Sequence, residues 1–403
     1  MTSASSWKIV LVLLASLMLS SVAFGRSSTT YKKGAKPQVT EPTRVQKKMT
    51  RMRSSRRLAR NSKLRRSRRH RYYEHFSANS FSEIDQTTGD VIGGEDPAVR
   101  AAAVEALGNM NGTVVAIDPD TGRVLAMVNQ KLALSEGAQP CSTIKVAVAL
   151  AALSEGVITH DSNDVKMGRA HIDLTYALAH SNNAYFEELG RRLGFEKVSH
   201  YAHQFGLGEL AGYNIDGEHL GAFPTEVLSD REGGVGKMCS FGESISMTPL
   251  QLGALISAMA NGGNLYYLQH PQTPEELAAF TPKLKRTLSI TPYVADLMPG
   301  MGGAVEYGTA RSLRTNFSEE QVLGKTGTCS KDGTRFGWFA SYANTQHGRI
   351  VTVVFLQGGR PTFGPKAAEL TGKLYRGLYD RSFFAAKASS TDREPTVSNG
   401  IPQ

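Results

Sequence analysis

Three short groups of residues carry types and spacings that can do chemistry. In QPCSTIKV, residues 139–146, Ser142 and Lys145 stand three apart at the head of the apolar run VAVALAAL. A helix beginning at Ser142 puts positions i and i+3 on one face, so the amine reaches the hydroxyl. Lysine serves as a base only when its pKa falls, and desolvation by apolar neighbours does that. The free N–H groups at a helix start also favour a developing anion. The same residues equally describe a capping serine followed by an exposed lysine. Ser181-Asn182-Asn183 is a cluster of short polar side chains within an apolar helical context. It reads as a polar site facing a cleft, or as a helix cap or internal turn. Lys325-Thr326-Gly327-Thr328 follows the apolar VLG and opens a strand. There Gly327 lets a substrate backbone come close, and Lys325 and Thr326 can fix an anion. An exposed strand of mixed residues is the alternative.

These groups need elements to hold them. Order is expected from about residue 95, where Asp96-Pro97 supplies an N-cap and a proline at the first helical position. GTVVAIDPDTGRVLAMVN reads as two strands about a turn, and a helix follows from Ser142 to Glu155. Residues 157–265 are mostly helical by apolar spacing, with Thr248 and Pro249 opening one helix. QVLGKTGTCS, FGWFASYA and RIVTVVFLQG read as three strands, and KAAELTGKLYRGLY as a closing helix. Strands at both ends with helices between predict an α+β fold, an antiparallel sheet flanked by a helical subdomain.

Taken together and in this order, S-x-x-K, S-x-N and K-T-G resemble the active-site serine penicillin-recognising enzymes, in particular the transpeptidase domain of penicillin-binding proteins. GTVVAIDPDTGRVLAMV, GESISMTPLQLGALISAMANGG and VEYGTARS extend the resemblance over about residues 95–380. It implies a β-lactamase/transpeptidase-like fold in which Ser142 is the acylated nucleophile and Lys145 takes its proton. Ser181 relays a proton to the leaving amine and Asn183 holds a substrate amide. Lys325 supplies positive potential, Thr326 and Thr328 bind the substrate carboxylate, and the N–H groups of Ser142 and Thr328 form an oxyanion hole. The implied partners are a peptidoglycan stem peptide ending in D-Ala-D-Ala and β-lactams that mimic it, with no metal or organic cofactor. The implied reaction is D,D-transpeptidation in cell-wall synthesis. A D,D-carboxypeptidase, a serine β-lactamase and a non-catalytic β-lactam sensor are the other members of the class. For a β-lactamase, Glu218 and Glu226 follow the second motif, yet neither sits in an E-x-x-L-N setting. Ser181 follows Ser142 by a short interval, which bears on substrate preference and not on chemistry. The resemblance also implies that the serine helix faces the strand of the third motif. Some class A carbapenemases carry a disulfide at the places of Cys141 and Cys329, so these two are expected to be bridged, with Cys239 free and buried.

The net charge of +10 belongs to one end of the chain. Residues 1–75 hold 19 of the 46 Lys and Arg and only Glu41 and Glu74 as acids, leaving 27 bases against 34 acids elsewhere. Residues 1–25 carry Lys8 and then about sixteen mostly apolar residues, short for a spanning helix and suited to a signal peptide or signal anchor. Export to the periplasm or the extracytoplasmic face of the membrane is therefore expected. Residues 26–94 are expected to be a basic disordered tether, 95–386 the folded domain, and 387–403 a disordered tail. The basic run at 26–75 suits anionic lipids or envelope polymers, or simply solvent. Nucleic acid is not expected, because no groove or aromatic platform accompanies it.

Overall fold

GTVVAID and RIVTVVFLQG, far apart in sequence, lie side by side in one sheet because both alternate apolar residues towards two separate cores. The computed structural model describes residues 78–384, apart from residue 168 and residues 346–347. The expected leader at 1–25, the basic stretch to residue 77 and the tail at 387–403 lie outside the described residues.

The chain runs through α1 (Pro97–Leu107), β1 (Gly112–Asp118), β2 (Arg123–Val128) and α2 (Gln130–Ala133) to a 3₁₀ turn at Cys141–Ile144. Next come α3 (Lys145–Ser154), β3 (Val165–Met167), β4 (Ala170–Ile172), α4 (Leu174–Ala179), α5 (Asn183–Gln204) and α6 (Gly234–Phe241). Then α7 (Pro249–Ala260), β5 (Asn264–Tyr266), α8 (Pro274–Ala278), β6 (Leu284–Thr287) and α9 (Thr291–Glu306) lead to β7 (Val322–Lys331), β8 (Thr334–Thr345), β9 (Gly348–Gly358) and α10 (Gly364–Asp380). Five strands form one antiparallel sheet in the order β2-β1-β9-β8-β7, so β7 is an edge. The fold is α+β, as expected.

The period-2 alternation of a strand sends successive side chains to opposite faces. Val115 and Ile117 enter a core shared with α3 and α7, whereas Val114 and Ala116 join α1 and α10 on the other face. Every residue of α7 is buried. A helix apolar all round belongs inside, and Thr248 and Gln251 close its start as a reciprocal capping box. Asp96 caps α1 through the N–H groups of Ala98 and Val99, with Pro97 at the first position. Among the described residues no helix is long and apolar enough to cross a membrane.

One boundary differs from expectation. Residues 78–94, assigned by sequence to the tether, are packed against the domain. Phe81 pairs with Met110 and joins the second core. The Asp90 carboxylate accepts from Arg100 at 2.6 Å and from the N–H groups of Asn129 and Gln130 at 3.0 and 2.8 Å. Buried Glu95 accepts from Met127 N–H at 2.8 Å and lies 3.0 Å from His270. Apart from Arg100 these partners are distant in sequence, and no periodicity in the segment itself announces them.

Candidate active site

The serine does not open an α-helix. Cys141 has φ 53°, and residues Cys141–Ile144 form a 3₁₀ turn before α3 begins at Lys145. The reason is attachment: the turn is tied to the sheet at several points. Cys141 is disulfide-bonded to Cys329 on β7. Trp338 Nε1 donates to the Gln139 carbonyl at 3.0 Å, and Gln139 Nε2 donates to the Phe241 carbonyl at 3.1 Å. Thr143 closes the turn through its hydroxyl to the Pro140 carbonyl at 2.6 Å. The nucleophile candidate is thus set by contacts to β7, β8 and α6, not by helix propagation.

Ser142 is nearly buried, and its hydroxyl donates to the Ser240 carbonyl over a long 3.5 Å. That contact is at the weak limit of a hydrogen bond. Lys145 has no exposed surface. Its Nζ bonds to the Ser181 carbonyl at 2.8 Å, the Ser181 hydroxyl at 3.0 Å and Asn183 Oδ1 at 2.6 Å. The Phe186 ring lies 5.5 Å away. Burial, helped by repulsion from Lys325, pushes the Lys145 amine down to about 6. The amine is therefore mostly uncharged at neutral pH, the state a base requires.

Ser181 occupies the left-handed region at φ 54° where α4 ends. A non-glycine residue there costs on the order of 1–3 kcal/mol unless its surroundings enforce it. Here the turn is enforced by the N–H of Asn182 on the Ala177 carbonyl at 2.8 Å, while Asn182 caps α5 through Tyr185 N–H. The polar cluster is thus both a cap and a site. Asn182 does the capping, and Ser181 and Asn183 on either side hold Lys145.

The third group splits across the edge strand. Gly327 and Cys329 face the serine turn, as does Lys325 by alternation. Lys325 is fully buried, its Nζ donates to the Thr326 carbonyl at 3.0 Å, and burial brings it down to about 7. Thr326 and Thr328 point to the opposite side. The Thr326 hydroxyl pairs with that of Thr309 at 2.6 Å, and the Thr328 hydroxyl accepts from Gly364 N–H at 2.8 Å. Accepting leaves the Thr328 O–H free to donate elsewhere.

Gly327 also has a structural reason to be glycine. A Cβ there would lie 2.8 Å from the Pro140 carbonyl oxygen and 3.1 Å from Thr143 Cγ2. What comes close here is the protein's own serine turn. Gly327→Ala is accordingly expected to push that turn outward and slow covalent modification of Ser142 by on the order of 10²-fold, as small misplacements of reacting groups do. The rate of labelling by a fluorescent penicillin checks it.

Sequence reasoning missed Ser240, whose carbonyl meets Ser142 and whose own hydroxyl has no partner among the described residues. It also missed Thr309, the partner of Thr326. Neither stands in a motif with chemical content, and only the fold brings them to the site. Glu218, considered as a water-activating carboxylate, is spent on structure. Its oxygens accept from the N–H groups of Ala211 and Gly212 at 2.8–3.1 Å. Glu226 is exposed on a loop.

Residues 112–376 match the family model described as penicillin binding protein transpeptidase domain. Stage V sporulation protein D of Bacillus subtilis is 27% identical over 315 residues, covering 65% of this chain and 48% of that protein. Peptidoglycan D,D-transpeptidase MrdA of Acinetobacter baumannii is 24% identical, covering 75% of this chain and 57% of its own length. The chain thus spans about half the length of these relatives. Among solved structures, Pseudomonas aeruginosa PBP2 in complex with WCK 5153 shares the fold at a TM-score of 0.58 and 23% identity, over 71% of this chain and 74% of that one.

Proposed function

Because this chain belongs to the penicillin binding protein transpeptidase domain family, we propose that it is a serine D,D-transpeptidase acting on peptidoglycan stem peptides through a Ser142 acyl-enzyme. The observation that carries this reading is Lys145, a fully buried lysine bonded to Ser181 and Asn183, one helical turn from Ser142. A free amine has two N–H groups, which serve the Ser181 carbonyl and Asn183. Its lone pair is then available to hydroxyl protons, that of Ser181 at rest and that of Ser142 during attack.

In the forward step the Ser142 oxygen bonds to the carbonyl carbon of the penultimate D-Ala, and Lys145 takes its proton. The C–N bond breaks, and the terminal D-Ala leaves with a proton delivered through Ser181. Turning Ser142 away from Ser240 costs little, since that contact is long. The oxyanion is held by the N–H groups of Ser142 and Thr328. The donor peptide aligns along the open edge of β7 as an added strand, with Asn183 on its amide. Its carboxylate reaches Thr326 and the free O–H of Thr328 around the open edge of the strand, within the positive potential of Lys325. A second stem-peptide amine then attacks the ester, and Ser142 is released.

The adduct with a β-lactam is expected to persist, because Glu218 is committed to backbone amides and so cannot activate water. Action outside the cytoplasm is supported by the disulfide and by the expected leader. In this reading residues 1–25 are a signal peptide or anchor, and residues 26–75 reach anionic lipids or envelope polymers. The test is a D-Ala-D-Ala pentapeptide assay with and without an amine acceptor, alongside fluorescent penicillin. Release of D-Ala with an amine-dependent product is expected. Rapid β-lactam turnover without a stable adduct overturns the reading.

The two lysines set a pH dependence. The base form of Lys145 grows as pH rises through about 6, and the positive charge of Lys325 fades as pH rises through about 7. Acylation should therefore climb and then decline, with a narrow maximum between, and the two apparent values belong to the pair. Initial rates of penicillin labelling from pH 5 to 9 check this. A rate that rises steadily to pH 9 would remove any role for the Lys325 charge.

A further inference from the structure

Two exposed tyrosines stand where the motif-bearing elements meet. His180 immediately precedes Ser181, and Tyr307 precedes Gly308-Thr309, whose hydroxyl pairs with Thr326. The two segments are pinned together, because Thr309 N–H donates to the Ala179 carbonyl at 3.1 Å. Gly308 sits so close to that carbonyl that a Cβ would collide with it. The register between Tyr307 and His180 is therefore fixed. Their ring centroids are 5.7 Å apart, and His180 packs in turn at a tilt against Tyr176, one helical turn earlier, at 4.3 Å. The result is a ladder of three rings, of which Tyr176 is 50% and Tyr307 53% exposed.

Rings packed in a core hide their faces, but these rings meet at tilts of 43° and 45° and the two tyrosines still show about half their surface to solvent. Their mutual contacts hold them in place without a ligand, so an incoming group meets a preorganised apolar wall. Its position beside Ser181 says which group. Ser181 is the residue given the proton transfer to the leaving amine, so the amine side of the reaction lies next to His180. When the C–N bond breaks, the protonated nitrogen departs along this side. The acceptor amine enters by the same side and gives up its proton there.

We propose that Tyr176, His180 and Tyr307 form the subsite for the amine component, contacting the leaving group of the donor and the acceptor that replaces it. This rests on the acyl-transfer reading of Ser142. In a β-lactam the leaving nitrogen stays tethered, so substituents on its side of the molecule fall against the ladder. The subsite thereby discriminates among β-lactams by that substituent, and favours flat or aromatic groups over a methyl.

The experiment compares acylation rate constants for two cephalosporins that differ only on the leaving-nitrogen side, one with an aromatic substituent and one with a methyl. The full protein, Tyr307→Ala, Tyr307→Phe and Tyr176→Ala are measured, with Leu284→Ala as a control at an exposed apolar residue outside the ladder. The aromatic-to-methyl rate ratio should fall roughly three- to tenfold in the alanine variants, the size of a lost ring contact, and be kept by Tyr307→Phe. Leu284→Ala should keep the wild-type ratio. An unchanged ratio in both tyrosine-to-alanine variants overturns the subsite while leaving acyl transfer intact. If neither compound acylates the wild-type protein, the acyl-transfer reading fails, and the subsite with it.

Discussion

Ser142→Ala should abolish covalent labelling by penicillin, while the protein should melt within a few degrees of wild type. Loss of a serine nucleophile that acts with its base costs on the order of 10⁶ in turnover. The structural cost is small because the hydroxyl makes one long contact, to the Ser240 carbonyl at 3.5 Å, and the turn is held by other groups. Lys145→Met gives the informative contrast. The apolar side chain fits a site with no exposed surface and avoids burying an amine. It also strands three polar groups, the Ser181 carbonyl, the Ser181 hydroxyl and Asn183 Oδ1, and each unpaired group costs about 1–3 kcal/mol if water does not replace the amine. Removing a general base alone costs about 10²–10⁴-fold. Labelling in this variant should therefore be slow but measurable, where that of Ser142→Ala is absent. Mass spectrometry of the adduct with time separates the two. Equal labelling of wild type and Ser142→Ala would refute the assignment of the nucleophile.

The same residues show what a sequence can and cannot display. Ser142, Lys145, Ser181, Asn183 and Lys325 were legible as a set because their order and local spacing resemble a family, and the fold gathers their elements at one site. The Cys141–Cys329 pairing came the same way, from the resemblance and not from geometry. The form of the serine turn was not legible. A hydroxyl before an apolar run reads as a helix start, yet the bridge and the Trp338 bond hold Cys141–Ile144 in a 3₁₀ turn. At Gly327 the close neighbour is Pro140, a long-range contact with no local mark. The packed segment at 78–94 was missed for a like reason. Its charged residues look solvated in sequence, and Arg100 and the Asn129 and Gln130 amides that take the charge of Asp90 lie outside the segment. Local pattern reports what a residue is suited to, and tertiary partners decide how it is used.

Breaking the Cys141–Cys329 bridge should lower stability far more than it slows the chemistry. The bridge spans 188 residues, and its two Cα atoms stand 5.5 Å apart. A loop of that length restricts the unfolded chain by about 5 kcal/mol on a chain-entropy estimate. Cys141→Ala/Cys329→Ala should therefore lose about 3–5 kcal/mol, or about 10 °C in melting temperature for a domain of this size. The serine turn, by contrast, keeps its other attachments: Trp338 to the Gln139 carbonyl, Gln139 to Phe241, Thr143 to Pro140, and Pro140 against Gly327. With those in place Ser142 stays near its position, and penicillin labelling at 25 °C should fall by less than about tenfold, below the 10²-fold that a shift of about an ångström brings. Reduction of the wild-type protein should reproduce the stability loss, and the intact mass should rise by two hydrogens. Cys239 does not confuse the result, since it is buried and its thiol is pushed up to about 12. If the double variant melts like wild type, the bridge does not restrain the unfolded chain. If labelling collapses while melting is unchanged, its contribution lies in positioning Ser142, and the other attachments do not suffice.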